Sequence, residues 1–260
     1  MKDKVRKLLI VVLSAVALCA AGYLIWYYVI AAKTEESYDK ARKEAVVTPK
    51  KEEPTEEPEE EPKAAPEIPI DFAALQAVNP DVYAWIRIEG TNVDYPVLQR
   101  ADEENYYLNH TWEGKTSPEG AIYTQPCNAK NFTDFNTVLY GHQMGEGVDT
   151  MFHTLDYYLG DGFLEAHPDV VVYTKDHILT YRVYAAVVYD DRHLMQAFNY
   201  VMDSERQAFL DSIVNSRDMR NKFSDAESVG ITDRILSLST CISGESNHRL
   251  LIEAVLVNEE

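Results

Sequence analysis

The chain has 260 residues, of which 46% are hydrophobic and 26% charged, so it can form one folded domain with additional segments. Its formal net charge of −19 argues against a nucleic acid partner, because phosphate binding requires a basic surface. The same charge would be repelled by an anionic lipid surface, which favours a domain that stands away from the membrane.

An apolar segment near the N-terminus predicts a membrane anchor. Residues 8–32 carry no charge and follow a basic flank, residues 1–7. About 20 apolar residues span a bilayer as a helix, and a basic flank stays in the cytoplasm. The sequence therefore predicts a single-pass protein whose remaining residues lie outside the cell. A cleaved signal peptide is the alternative, but the apolar run is longer than a typical signal core, and no clean small-x-small site follows it before Trp26.

Residues 33–66 differ in composition from the segments on either side. They are dense in Glu, Lys and Pro, and large apolar residues are almost absent after Tyr38. Such a segment buries too little surface to offset its ordering entropy, and its prolines and like charges extend it. We therefore predict a disordered stalk over 33–66, followed by one folded domain over 67–260.

The folded domain shows many short runs of β-branched and aromatic residues. These runs predict strands at 82–97 (two strands around a turn at 89–92), 120–124, 137–140, 170–174, 178–189, 235–240 and 250–257. A helix is predicted at 71–78, with Asp71 as its cap. A second is predicted at 204–216, where Ser204 and Gln207 form a capping-box pattern. Together these elements predict a mixed, mainly antiparallel β-barrel.

Cys241 is the candidate nucleophile among three cysteines. Cys19 lies in the apolar run, which leaves Cys127 and Cys241 in the soluble part. One disulfide between these two is the conventional interpretation, although a domain of this size does not require one. Cys241 ends the strand predicted at 235–240 and precedes a polar loop, a position from which a scaffold presents a side chain to substrate.

His142 and Arg249 are the candidate partners of this thiol. A cysteine nucleophile needs a base or cation nearby, and His142 leaves a predicted strand tip through Gly141 into a glycine-containing loop. Arg249 opens the last predicted strand, so two consecutive antiparallel strands would bring it back beside Cys241. A guanidinium there could stabilise an oxyanion. A surface ion pair is the alternative for Arg249.

Three motifs in this order resemble those of the sortase family. SLSTC at 237–241 resembles the family's TLxTC motif, with Ser237 in place of the leading Thr. LYGHQM at 139–144 resembles the YGHxM segment that holds the family's histidine, and Arg249 matches the family's arginine. Residues 85–97 and 106–108, and the helix predicted at 204–216, resemble class B sortases in particular.

This resemblance implies a fold, a reaction and a set of roles. The fold would be an eight-stranded sortase β-barrel with the added helices of class B. Cys241 would attack a C-terminal sorting signal and form a thioacyl enzyme, with His142 as acid/base and Arg249 as oxyanion stabiliser. Ser239 and Thr240 would line the substrate groove. The acceptor would be a cell-wall amine, as on lipid II, and the partners would be surface proteins that carry the signal.

Other functions remain open on sequence alone. A papain-like or peptidoglycan-cleaving cysteine peptidase is one, although its cysteine would normally precede its histidine and open a helix. A non-catalytic binding module on a stalk is another. A pilin-polymerising sortase with a Lys acceptor shares the same chemistry. No metal or other cofactor is predicted, because the cysteines and histidines lack metal-ligand spacing.

Overall fold

The computed structural model describes residues 2–45, 66–145, 147–225 and 228–260. The α-helices are α1 (Lys2–Ala45), α2 (Phe72–Val78), α3 (Phe163–Ala166), α4 (Leu194–Ala197) and α5 (Asp203–Val214). Two 3₁₀-helices span Tyr106–Leu108 and His153–Leu159. The strands are β1 (Val82–Ile88), β2 (Asp94–Leu98), β3 (Ile122–Tyr123), β4 (Asn136–Tyr140), β5 (Asp169–Thr174), β6 (Ile178–Asp190), β7 (Lys222–Phe223), β8 (Ile235–Ile242) and β9 (Glu245–Glu259).

Eight of these strands close into a barrel. Their order is β5-β1-β2-β3-β4-β8-β9-β6, and β6 pairs back with β5. The β2–β3 and β4–β8 pairs are parallel, whereas the other pairings are antiparallel. The short strand β7 extends the sheet beyond β6. The prediction of a mainly β, eight-stranded barrel with added helices is confirmed.

The two predicted helices form, and one begins differently from the prediction. Asp71 caps α2, and its Oδ1 accepts a hydrogen bond from the backbone N–H of Ala74 at 2.9 Å. The capping box of Ser204 and Gln207 is wrong, because α5 begins one residue earlier, at Asp203, and no side chain caps it. Gln207 instead donates to Asp211 one turn further along the helix, at 2.8 Å.

The prediction of a disordered stalk is wrong for its first part. Residues 33–45 continue α1, and the rest of the predicted stalk, 46–65, lies outside the described residues. The reason is a stripe of small and aromatic residues at helical spacing, which is buried against the domain and comprises Thr34, Tyr38, Ala41 and Ala45. We call residues 34–45 the docked segment. Within the described residues, α1 alone is long and apolar enough to cross a membrane.

Two apolar clusters lie on opposite faces of the strands that carry the predicted catalytic residues. One contains Leu238 and Ile252 in the main core. The other contains Leu251, together with Phe209 and Ile213 of α5. Side chains alternate along a strand, so Leu251 and Ile252 point to opposite faces of β9. Since Leu251 packs with α5 and Ile252 with the main core, α5 covers the outer face of β9.

A buried carboxyl group lies under α5 on this outer face. Glu253 is fully buried and faces Ser237 across β8 and β9. The Ser237 hydroxyl has one proton but lies near two acceptors, Glu253 Oε2 at 2.8 Å and Asn136 Oδ1 at 3.0 Å. A protonated Glu253 resolves this conflict, because it donates to Ser237 while Ser237 donates to Asn136. Burial raises the pKa of Glu253 to about 8, which agrees with this arrangement.

We predict that Glu253 makes stability depend on pH. The carboxyl loses its proton near its ordinary pKa of 4.5 when unfolded and near 8 when folded. Folding stability should therefore fall as pH rises from about 4.5 to about 8. Glu253→Gln keeps a donor toward Ser237 without a titratable proton. Its melting temperature should be close to that of the parent at pH 5 and exceed it by about 10 °C at pH 8.5.

The measurement is thermal unfolding of the full chain in detergent between pH 5 and pH 8.5. Glu89→Gln, at an exposed turn position, is the matched control and should follow the parent protein. If the melting temperatures of Glu253→Gln and the parent changed with pH in parallel, Glu253 would be ionised in the folded protein across this pH range, and the prediction would be wrong.

Candidate active site

The pairing of β8 with β9 places Cys241 directly opposite Arg249. The two strands form a hairpin whose turn contains Gly244 at φ +78°, a conformation that favours glycine. Alternation along β8 puts Cys241 and Ser239 on the outer face, on the same side as Ser237. The antiparallel arrangement predicted for Arg249 is thus the one observed.

The parallel pairing of β4 with β8 brings His142 to the same end of the sheet. Tyr140 pairs with Ser239, and the backbone N–H of Gly141 donates to the Ser239 carbonyl at 3.2 Å. His142 therefore leaves β4 beside the end of β8 that carries Cys241. Its Nε2 lies 2.7 Å from the carbonyl oxygen of Leu108. A carbonyl only accepts, so Nε2 carries the proton and Nδ1 is left to exchange one.

Arg249 is half-buried, and the backbone of its own hairpin holds it. Its Nη1 donates to the carbonyl oxygens of His248 at 2.8 Å and Ser246 at 3.2 Å. Among the described residues it makes no ion pair, so the surface ion pair considered for it is not observed. Both contacts use Nη1. A guanidinium has five N–H donors in a planar fork, so these contacts leave the donors of Nε and Nη2 unused.

One groove on the barrel's outer face contains all five predicted site residues. Its volume is about 230 Å³, and its lining includes His142, Ser239, Thr240, Cys241 and Arg249. Ser239 and Thr240 are themselves largely buried, so each presents only a small surface to the groove.

Several groove residues were missed by the sequence reasoning. Tyr140 lies just before His142, within the motif at 139–144. This position in the motif could have indicated that Tyr140 lines the groove. Tyr189 pairs with Arg249 across β6 and β9, and the segment 190–194 forms a further wall. Sequence offered no signal for this wall, because long-range strand pairing brings it to the groove.

The wall segment is held by an ion pair at the end of β6. Arg192 contacts Asp190 through Nε at 2.7 Å and through Nη2 at 2.5 Å. These hydrogen bonds to a cation lower the pKa of Asp190. His193 and Leu194, which follow this pair in the chain, also line the groove.

The cysteines are unpaired throughout the part of the chain that the structure describes. A disulfide between Cys127 and Cys241 is therefore not observed. Cys127 lies outside the groove, in a neighbouring depression that also contains Phe198. Desolvation raises the pKa of the Cys127 thiol, which lowers its thiolate fraction at neutral pH.

Comparison with known proteins identifies the family. A model of the sortase domain matches residues 86–257 of the chain. The chain belongs to the sortase family. The match covers the strands and loops that form the groove of this sortase.

Individual relatives refine this assignment. A sortase B of Listeria monocytogenes is 32% identical over 197 residues, which cover 74% of this chain and 76% of the relative. A solved Staphylococcus aureus sortase B–substrate complex has a TM-score of 0.60 and 31% identity, and the match covers 72% of this chain and 84% of that one. A B. anthracis sortase B, at 24% identity, supports the fold, with a TM-score of 0.70 over 89% of this chain and 99% of that one. This sortase is thus a cysteine transpeptidase of class B.

Proposed function

We propose that this sortase is anchored in the cell membrane and joins surface proteins to a cell-wall amine. The observation that carries the proposal is the groove in which Cys241 opposes Arg249 while His142 lines the same cavity. The substrate would be an extended peptide, the C-terminal sorting signal of a surface protein. Ser239 and Thr240 would contact this peptide, since both line the groove.

In the first step the Cys241 thiolate attacks a peptide carbonyl of the signal. A bond forms between sulfur and the carbonyl carbon, and the carbonyl oxygen becomes an oxyanion. When this intermediate collapses, the carbon–nitrogen bond breaks and the tail leaves as an amine. His142 takes the Cys241 thiol proton on Nδ1 as the thiolate forms, because the Leu108 carbonyl occupies Nε2. It then gives that proton to the leaving nitrogen.

In the second step an amine attacks the thioester. The acceptor amine would belong to a cell-wall precursor such as lipid II, or to the peptidoglycan stem. His142 takes a proton from the attacking nitrogen, a new amide bond forms, and Cys241 leaves as a thiolate. Cys241 is exposed, which means that the groove is open to solvent. A second substrate can therefore approach the thioester.

Arg249 would act on the oxyanion in both steps. Its guanidinium is held by two carbonyl groups through Nη1, which leaves its other donors for the substrate. Preorganised donors of this kind stabilise charge that develops in the transition state.

We predict that Cys241 alone forms the acyl enzyme. Incubation of the parent protein with candidate sorting-signal peptides should add the mass of the N-terminal peptide fragment to Cys241. Cys241→Ala should show no adduct, whereas Cys127→Ala, the matched control, should retain most of it. Intact-mass and peptide mass spectrometry give the adduct, the cleavage site and the final product.

The products of the same reaction separate the alternatives. An amide with a stem-peptide amine supports wall anchoring, whereas an amide with a lysine side chain would indicate pilin polymerisation. Hydrolysis in the presence of every amine would indicate a peptidase. Equal loss of the adduct from both cysteine variants would contradict a single nucleophile.

We predict that Arg249→Lys acts mainly on turnover. Lysine keeps the charge but loses the planar fork, and the loss of one oxyanion donor costs roughly 100- to 1000-fold in rate. Peptide binding should weaken far less, because the contact is made mainly in the transition state. Single-turnover acylation is compared with that of Arg217→Lys, an exposed control. Parent-like acylation by well-folded Arg249→Lys would remove Arg249 from the reaction.

We predict an external catalytic domain and a cytoplasmic N-terminus. In protein lacking Cys19, Cys127 and Cys241, Met219→Cys places one thiol at a fully exposed position of the domain. A membrane-impermeant maleimide should label it on intact cells. Lys4→Cys, in the basic flank, is the matched control and should be labelled only after lysis. The reverse pattern would invert the topology.

A further inference from the structure

The docked segment of α1 makes specific polar contacts with the barrel. Tyr38 is fully buried, and its hydroxyl donates to the carbonyl oxygen of Gly120 at 2.9 Å. Ser37 Oγ accepts from Trp112 Nε1 at 2.9 Å. Arg42 donates through Nε to the Asp94 carbonyl at 3.0 Å. The chain that leaves the apolar helix is therefore fixed to the domain rather than loosely tethered.

One line of contacts runs from Tyr38 to the side chain of His142. Gly120 has φ +58°, and a Cβ there would overlap the carbonyl groups of Tyr107 and Leu108. The backbone that Tyr38 holds thus lies directly against the Leu108 carbonyl. That carbonyl accepts from His142 Nε2 at 2.7 Å, so it sets both the tautomer and the direction of the ring.

A second line runs from the same helix to the backbone of His142. The Tyr95 ring packs edge-on against Tyr38 with centroids 5.1 Å apart, and Arg42 lies 4.7 Å above the Tyr95 ring centre. The Tyr95 hydroxyl accepts from the backbone N–H of Met151 at 3.0 Å. The next residue, Phe152, donates its N–H to the His142 carbonyl at 2.9 Å.

The second line includes a strained position. Met151 has φ +54°, which is uncommon for a residue with a side chain. Such a conformation persists where surrounding contacts hold it, and the Tyr95 hydroxyl is one of these contacts. Movement of Tyr95 would therefore release Met151 and, through Phe152, the backbone of His142.

We propose that the docked segment positions His142, so that the membrane-proximal helix is part of the catalytic apparatus. Tyr38 is the principal positioning residue, because both lines begin at it. The inference rests on the proposed function in that His142 is taken as the acid/base group. A displacement of about 1 Å at a reacting group can cost on the order of 100-fold in rate, so small shifts of this helix should alter turnover.

The test uses Tyr38→Phe in the full chain in detergent, which keeps the ring and removes only the hydroxyl. Turnover on a cleaved sorting peptide should fall about 10-fold, with KM changed less than about twofold. Lys40→Ala is the matched control, because Lys40 lies on the exposed face of the same segment, where it pairs with Glu44. It should leave both constants unchanged.

Nitrogen-15 NMR of labelled histidine rings provides a readout that needs no substrate. The Nε2 proton of His142, assigned with His142→Gln, should exchange with water about 10-fold faster in Tyr38→Phe than in Lys40→Ala. Arg42→Met tests the second line of contacts and replaces Tyr38→Phe if that variant fails to fold. It should produce the same change in exchange.

The outcomes separate this inference from the proposed function. Parent-like turnover and exchange in a folded Tyr38→Phe protein would overturn the positioning role. An equal change in Lys40→Ala would also overturn it, because the effect would then be a general loss of helix stability. If the parent protein cleaves no sorting peptide but the exchange contrast remains, the proposed function fails and the positioning role stands.

Discussion

The register of β8 between its two neighbours is the constraint on which the site depends. On one side, β4 fixes the position of His142 along the sheet through the pairing of Tyr140 with Ser239. On the other side, β9 places Arg249 opposite Cys241. Because side chains alternate along a strand, a slip of one residue would turn Cys241 into the barrel. The buried contact between Ser237 and Glu253, further along the same pair of strands, opposes such a slip.

The same strands combine a stable support with an open site. Their far ends are covered by α5 and contain the apolar cluster around Phe209, while their near ends are uncovered and form the groove. The packed half fixes backbone positions, and the open half presents side chains to a peptide. The docked segment adds a second support, so that contacts from both the barrel and this segment hold His142.

The sequence predicted which residues share the groove better than it predicted the elements that support the groove. Cys241 and Arg249 belong to consecutive strands, so the local sequence was enough to predict the hairpin that brings them together. The motif at 139–144 indicated His142 as the third residue. The β4–β8 pairing joins strands far apart in the chain, and no local pattern indicates it. The docked segment was missed because its sequence is dominated by charge. Only Thr34, Tyr38, Ala41 and Ala45 reveal the buried stripe, and average composition conceals it.

The most direct measurement is a crystal structure of the full-length protein with a sorting-signal peptide mimic bound covalently to Cys241. We expect the oxygen of the adduct to lie about 3 Å from a guanidinium N–H of Arg249. We also expect His142 Nδ1 to face the leaving-group side while Nε2 stays on the Leu108 carbonyl. An adduct oxygen bound by other groups, with Arg249 still turned wholly to Ser246 and His248, would contradict the role of Arg249 as oxyanion stabiliser.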